Sequence, residues 1–366
     1  MSALFDAASV VGCKPIAKFW VPGRGVGKGR PKLHWHGDRV YADYSQSYKD
    51  WLNYAADVIH YQAQFFPPVD EPVGVVASFV GYGTSDSDNL VAAGLDAMTD
   101  VYLKGDSSSF VTGVRGRFCS TQLRPGMEKE VGTLIEIYPG GIQSLSPGFS
   151  DRFSLPEFLL ISPLVRKKRA DSQSGDLPHR KIGKKTREKL LLRELEKPPL
   201  EIVLDEPGLI AEFWIPGTAP GKSRPYLHWH DGKLIKTYSK NYTTWINYAR
   251  DVIRYTKRSF APPPKPVKVE VACVGYAGSD VDNILGSALD SLSLSKLYLG
   301  GDSSSYVCDS AAEFFKVRKR RGQPIEKGTW IKVSSSRVLK LDAGFTSQFA
   351  LPKHLQRSPL DSRFSA

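Results

Sequence analysis

The sequence predicts an α+β protein built from two tandem copies of one domain, each a mixed β-sheet with two main helices. Phe19-Trp-Val-Pro-Gly returns as Phe213-Trp-Ile-Pro-Gly, 194 residues later, and the register then holds without a gap for about eighty positions. Between Ala17–Asp96 and Ala211–Asp290 about 38 residues are identical, among them Leu33-His-Trp-His against Leu227-His-Trp-His. Within each copy, β-branched runs of strand type alternate with two stretches whose apolar residues recur at helical spacing. Two additional residues precede Asp302, after which an offset of 196 aligns Gly132-Thr with Gly328-Thr and Gly148-Phe with Gly344-Phe. Copies of about 150 residues are each long enough to enclose a core, which excludes a solenoid of short units. The expected organisation is a tail over 1–14, domain 1 over 15–163, a basic linker over 164–207, domain 2 over 208–361 and a tail over 362–366.

The elements follow in order. Lys18–Val21 and Glu212–Ile215 read as strands, each followed by a Pro-Gly loop and then a second strand or hairpin. From Ser45 to Tyr61, apolar or aromatic residues at 48, 51, 54, 55, 58 and 61 give an amphipathic helix that Ser45 or Ser47 is able to cap, and the second copy keeps that face. Trp51, Tyr54, Trp245 and Tyr248 are expected in the core. Val73–Tyr82 and Val267–Tyr276 read as strands, followed by helices from about Asn89 to Met98 and Asn283 to Leu292. Thr133–Ile137 and Thr329–Val333 are late strands. The linker carries Arg166-Lys-Lys-Arg169 and Gly183-Lys-Lys185 around a short helix over Thr186–Glu196, and reads as a solvated tether or as a DNA-backbone contact.

The chain has 366 residues, 41% of them apolar, with 50 Lys and Arg against 38 Asp and Glu and a net charge of +12. That composition is globular, and the basic surplus favours an anionic partner, with nucleic acid the first candidate. No apolar run approaches the roughly 18 residues of a membrane span, and Met1–Lys14 lacks a signal-peptide pattern, so membrane insertion and secretion are not expected. Cys13, Cys119, Cys273 and Cys308 show no CxxC spacing, which suits reduced thiols in a cytoplasmic, and for a bacterial or viral protein nucleoid-associated, setting.

Acidic motifs interrupt this basic background. Asp86-Ser-Asp88-Asn89 and Asp280-Val-Asp282-Asn283 each end a strand, Asp96 and Asp290 follow eight residues later, and Gly-Asp-Ser-Ser-Ser supplies Asp106 and Asp302. The DxD spacing places two carboxylates on one side of an extended segment, and Asp88 and Asp96 fall within about 80° on the following helix. Such a cluster suits a hard, oxygen-seeking divalent ion, and a basic protein with acidic metal sites suggests a nuclease. Asp and Asn also cap helices, so the pattern in a single copy reads first as capping, but both copies keep it. Lys28-Gly-Arg30-Pro and Lys222-Ser-Arg224-Pro place Lys28, Arg30, Lys222 and Arg224 in loops suited to gripping phosphates. His34-Trp-His36 and His228-Trp-His230 have the spacing to chelate from one strand, but no partner ligands are evident and strand packing or a phosphate or base contact is expected.

These residues resemble the RusA-like endodeoxyribonucleases, which resolve Holliday junctions. In family order come Gly23 through Lys28-Gly-Arg30-Pro31-Lys32, Tyr44-Ser45, Asp86-Ser-Asp88-Asn89, Asp96-Ala-Met98 and Gly105-Asp106-Ser107, and the second copy follows from Lys222-Ser-Arg224-Pro225 to Gly301-Asp302-Ser303. The resemblance implies a fused, intramolecular pseudo-dimer that presents two metal sites to one four-way DNA junction, without need of further oligomerisation. It implies Mg2+ or Mn2+ held by Asp86, Asp88 and Asp106 in one site and by Asp280, Asp282 and Asp302 in the other, with Asn89, Asp96, Asn283 and Asp290 in support. One departure matters. The family's Lys four residues after the second Asp is here Ala92 and Gly286, which leaves the alternative of a catalytically weak or silent branched-DNA-binding protein. Lys104 is the candidate substitute in the first copy, where the second has Gly300.

Overall fold

The computed structural model describes residues 14–29, 31–36, 39–83, 85–122, 125–126, 129–164, 183–199, 202, 204, 206–222, 225–231, 233–318 and 326–360. Arg30, Arg224, Cys13, Arg166 to Arg169 and the C-terminal tail lie outside them, as do the side chains of both His-Trp-His segments. In the first copy the order is β1 (Ala17–Pro22), β2 (Lys32–His36), β3 (Arg39–Asp43), α1 (Gln46–Ala63), β4 (Val73–Val80), α2 (Ser87–Met98), β5 (Val111–Thr121), β6 (Gly132–Pro139), β7 (Gln143–Leu145) and α3 (Glu157–Leu160). After α4 (Lys184–Leu195) in the linker, the second copy gives β8 (Leu209–Pro216), β9 (Tyr226–His230), β10 (Lys233–Thr237), α5 (Lys240–Thr256), β11 (Val267–Val274), α6 (Val281–Ser293), β12 (Val307–Val317), β13 (Gly328–Ser335) and β14 (Leu339–Leu341). Among the described residues no helix is long and apolar enough to cross a membrane.

The helices form for the reasons the pattern implies. Ser45 and Ser239 sit in extended backbone, and their hydroxyls accept from the amides of Tyr48 and Tyr242 at 3.3 and 3.2 Å, each satisfying one orphan donor of the first turn. Tyr48, Trp51, Tyr54, Ala55, Val58 and Ile59 are buried along one face of α1, and Trp245 and Tyr248 are buried on α5. The linker helix α4 begins at Lys184, two residues before the expected Thr186. This helix is docked, while residues 165–182 of the linker lie outside the described residues. Leu191 is buried, and the Arg187 guanidinium lies over the Tyr248 ring with its Nε 2.6 Å from the Asp251 carboxylate, docking α4 on α5.

The expectation of one sheet per copy is corrected. A single ten-stranded mixed sheet runs β1-β6-β4-β5-β12-β11-β13-β8, with β7 added to β12 and β14 to β5. The sequence pattern predicts no strand over 111–121 or 307–317, yet β5 and β12 pair antiparallel at the centre, with Ala311 opposite Arg115, and join the copies. The pairs β4–β5 and β11–β12 are parallel, so α2 and α6 serve as their crossovers. Terminal segments exchange sides: β7 runs beside β12, β14 beside β5, and the Tyr54 and Tyr248 hydroxyls donate to the carbonyls of Leu355 and Leu159 of the opposite copy. Glu326 accepts from the amides of Gly148 and Ser150, and Glu130 accepts from those of Gly344 and Thr346.

The main core lies between this sheet and α1, α2, α5 and α6. On the other face, Phe149 and Phe153 pack on Trp214 and Trp330, and Phe345 packs on Trp20. Between these aromatic patches runs a band of charge that includes Lys18, Glu136, Arg117, Arg115, Asp309 and Glu270. Two short hairpins, β2–β3 and β9–β10, stand outside the sheet.

Candidate active site

The acidic motifs stand at the N-termini of α2 and α6, which pack against each other at the middle of the molecule. Asp86 and Asp280 are the N-cap residues, but neither uses its side chain to cap; the carboxylates instead accept from the amides of Asn89 at 3.2 Å and Asn283 at 3.1 Å. The same asparagines fix the lysine loops, because the Lys28 and Lys222 amides each donate to their backbone carbonyls at 2.8 Å. That docking is close. A Cβ on Gly27 would lie 3.1 Å from the Asn89 Cβ, and one on Gly221 would lie 3.0 Å from the Asn283 Cβ.

The structure regroups the carboxylates across the repeats. Ser303 forms an isolated β-bridge with Asp86, and the Ser304 hydroxyl donates to the Gly83 carbonyl, bringing Asp302 to the first motif. Burial pushes the Asp302 carboxyl up to about 6, aided by the charges of Asp86 and Asp88. Asp106, in turn, acts on Asp280 and Asp282. One site therefore combines Asp86 and Asp88 with Asp302, and the other combines Asp280 and Asp282 with Asp106, in place of the within-copy groups the sequence suggested. Burial raises Asp86 and Asp280, each further raised by a neighbouring carboxylate, Asp88 for one and Asp106 for the other. Burial also pushes Asp282 up to about 6 against the opposing effects of its neighbouring backbone amide and Lys28.

Lys28, Gly29, Lys222, Asp88 and Asp282 line one cavity of about 90 Å3 between the copies. Asp88 and Asp282 are 4% and 7% exposed, and the Oδ1 atom of each has no hydrogen-bond partner. A buried, unpaired carboxylate oxygen is costly unless something cationic or protic meets it. Among the described residues, no three His, Cys, Asp or Glu side chains converge as a preformed metal cluster. Among the described residues, lysines form the ion pairs of these acidic motifs. The Lys222 ammonium lies 2.9 Å from Asp88 Oδ2 and 3.4 Å from Asp290 Oδ1, whereas that of Lys28 lies 2.8 Å from Asp96 Oδ1. Burial works against both ammonium charges, but these carboxylates more than offset it and raise both lysines above their usual value.

Asp96 and Asp290 thus sit behind the DxD carboxylates, each also accepting from a tyrosine hydroxyl, of Tyr48 and Tyr242 respectively. The sequence reading missed both tyrosines, because their helical spacing beside Trp51 and Trp245 reads as core; their identity in both copies was the available signal. Lys104 is not at the site: it is exposed and pairs with Asp70. No family model matches this chain, and no curated protein matches it.

Proposed function

We propose that this protein is a metal-dependent, structure-selective DNA endonuclease of the RusA-like kind, hydrolysing phosphodiesters at a four-way junction or other branched DNA. In this reading the two copies form an intramolecular pseudo-dimer, with one composite site on each side of the α2–α6 contact. The observation that carries it is the pair of buried carboxylates, Asp88 and Asp282, each with an unpartnered oxygen in a cavity shared with Lys28 and Lys222. Orphaned carboxylate oxygens beside two more acids are a hard-oxygen donor set and fit Mg2+ or Mn2+. When bound, that ion supplies charge neutralisation and a more acidic water. Asp86, Asp88 and Asp302 would hold it in one site, and Asp280, Asp282 and Asp106 in the other.

The chain's own residues supply the rest. Lys28 and Lys222, with Arg30 and Arg224 beside them in sequence, bind the phosphodiester backbone and hold the scissile group at the cavity mouth. The wider hollow of about 350 Å3 beside Asp86, lined by Arg24, Gly25 and Gly27, offers backbone and a guanidinium to a neighbouring phosphate. Without an ion, burial pushes the Asp302 and Asp282 carboxyls up to about 6; a divalent cation would favour their charged forms.

Incubating the protein with a mobile four-way junction and Mg2+ or Mn2+ tests this. Metal-dependent nicking that Asp88→Asn with Asp282→Asn abolishes is expected; no metal-dependent nicking, or nicking unchanged in the double variant, overturns it. The alternative, a silent branched-DNA binder, is favoured by one observation: Lys222 already neutralises Asp88. In that case junction binding survives without cleavage.

A further inference from the structure

At one position beside the carboxylates, the two copies differ by a methyl group. Gly286 and Ala92 occupy equivalent positions one turn into their helices. A Cβ on Gly286 would lie 2.7 Å from Lys222 Cδ and 2.8 Å from Asp88 Oδ2, so the lysine crosses to the opposite copy through space that only glycine leaves open. At the matching point Ala92 has its methyl in place, buried, and Lys28 stays on Asp96 in its own copy without forming an ion pair to Asp282. Matching lysines from homologous loops therefore keep different company. Asp88 holds an ammonium on Oδ2, and among the described residues Asp282 holds none.

We infer that Lys222 is a built-in counter-cation competing with a divalent ion for Asp88, so that the Asp280, Asp282 and Asp106 site loads first and the Asp86, Asp88 and Asp302 site loads only when Lys222 withdraws. This rests on the metal-binding reading of both sites. A divalent ion on Asp88 Oδ1 and an ammonium on Oδ2 would crowd one buried carboxylate, where like charges brought that close repel strongly. A second acceptor for the ammonium already stands beside it. Lys222 lies 3.4 Å from Asp290, the counterpart of the Asp96 that holds Lys28. Released from Asp88, its ammonium is free for a phosphate, so loading of the second site is coupled to engagement of DNA. A junction enzyme built this way nicks one strand ahead of the other.

Mn2+ titration of the full chain without DNA, followed by the electron paramagnetic resonance signal of the free ion, tests the inference. Two binding classes differing by about tenfold or more are expected. Asp282→Asn removes the tighter class and Asp88→Asn the weaker. Lys222→Met brings the weaker class to within about threefold of the tighter, and Ala92→Gly, which opens a path for Lys28 to Asp282, weakens the tighter one. Equal classes in the parent, or a weaker class unmoved by Lys222→Met, overturn the inference while leaving a nuclease reading intact if junctions are nicked. Unequal classes that merge in Lys222→Met, in a protein that never nicks, uphold the inference and remove the nuclease reading. Absence of Mn2+ binding overturns both.

Discussion

Asp88 and Asp282 stand at equivalent places in two copies of one motif, and the cost of holding each is set by what lies within a few ångströms. Among the described residues no cation forms an ion pair with Asp282, and burial leaves its carboxyl pushed up to about 6, above the roughly 3.9 of an unfolded chain. A raised carboxyl binds its proton more tightly in the folded state, so this residue opposes folding above pH 6, and the penalty fades as pH falls toward 4. Asp282→Asn is therefore expected to raise stability at pH 8, without metal, by about 1–3 kcal/mol, and to lose that advantage near pH 4. Thermal unfolding of both proteins at the two pH values checks it; a destabilised variant at pH 8 would show that Asp282 is held by contacts rather than strained by burial. A site that destabilises its own fold is what a binding or catalytic role predicts. The carboxylates and lysines were legible in the sequence because both copies carry them. What was not legible was the difference between them, since Gly286 and Ala92 look alike until Lys222 is seen to run over one and not the other.

At the scale of elements, the surface helices and the apolar strands were readable from periodicity and the central strands were not. α1 and α5 bury one continuous face and declare it at helical spacing. β5 carries Gly113, Arg115, Gly116 and Arg117, and β12 carries Asp309 and Glu313, residues that break a strand pattern when each copy is read alone. Their place at the centre of the sheet is explained only across copies. Arg115 forms a two-bonded pair with Asp309, at 2.9 and 2.5 Å, and Ser87 at the start of α2 shares a hydrogen bond of 2.8 Å with Ser310. Gly116 has an equally specific reason. A Cβ there would lie 2.5 Å from Val91 Cγ2, so glycine lets α2 press directly onto β5 and sets the height of Asp86 and Asp88 above the sheet. Gly116→Ala is expected to cost about 1–3 kcal/mol in urea unfolding and to reduce nicking of the strand served by Asp88 more than the other. An unchanged midpoint would mean that α2 moves aside freely.

Across the whole molecule, the copies have become complementary rather than identical. Lys18, Glu136 and Arg117 of the first copy correspond to Glu212, Lys332 and Glu313 of the second, so every sign is reversed while the alternation is kept. Lys18 and Arg117 both pair with Glu136, and the Lys332 and Arg152 charges both act on Glu212. The centre is keyed in the same sense. Pairing β5 with another β5 in this register would set Arg115 against Arg115, and pairing β12 with β12 would set Asp309 against Glu313; the observed pairing joins Arg115 to Asp309. Exchange of β7 and β14 between the halves adds to this mutual dependence. Duplication was plain in the sequence, but the single sheet was not, because pairing between copies leaves no mark on either copy alone. The same crossing carries Asp302 to Asp86 and Asp106 to Asp280.

Strand-resolved nicking of a four-way junction therefore tests the account most directly. With Mn2+ and one label per strand, Asp302→Asn is expected to abolish the nick that Asp88→Asn abolishes, and Asp106→Asn the nick that Asp282→Asn abolishes. Loss that follows the copies instead, with Asp106 grouped with Asp88 and Asp302 with Asp282, would contradict it.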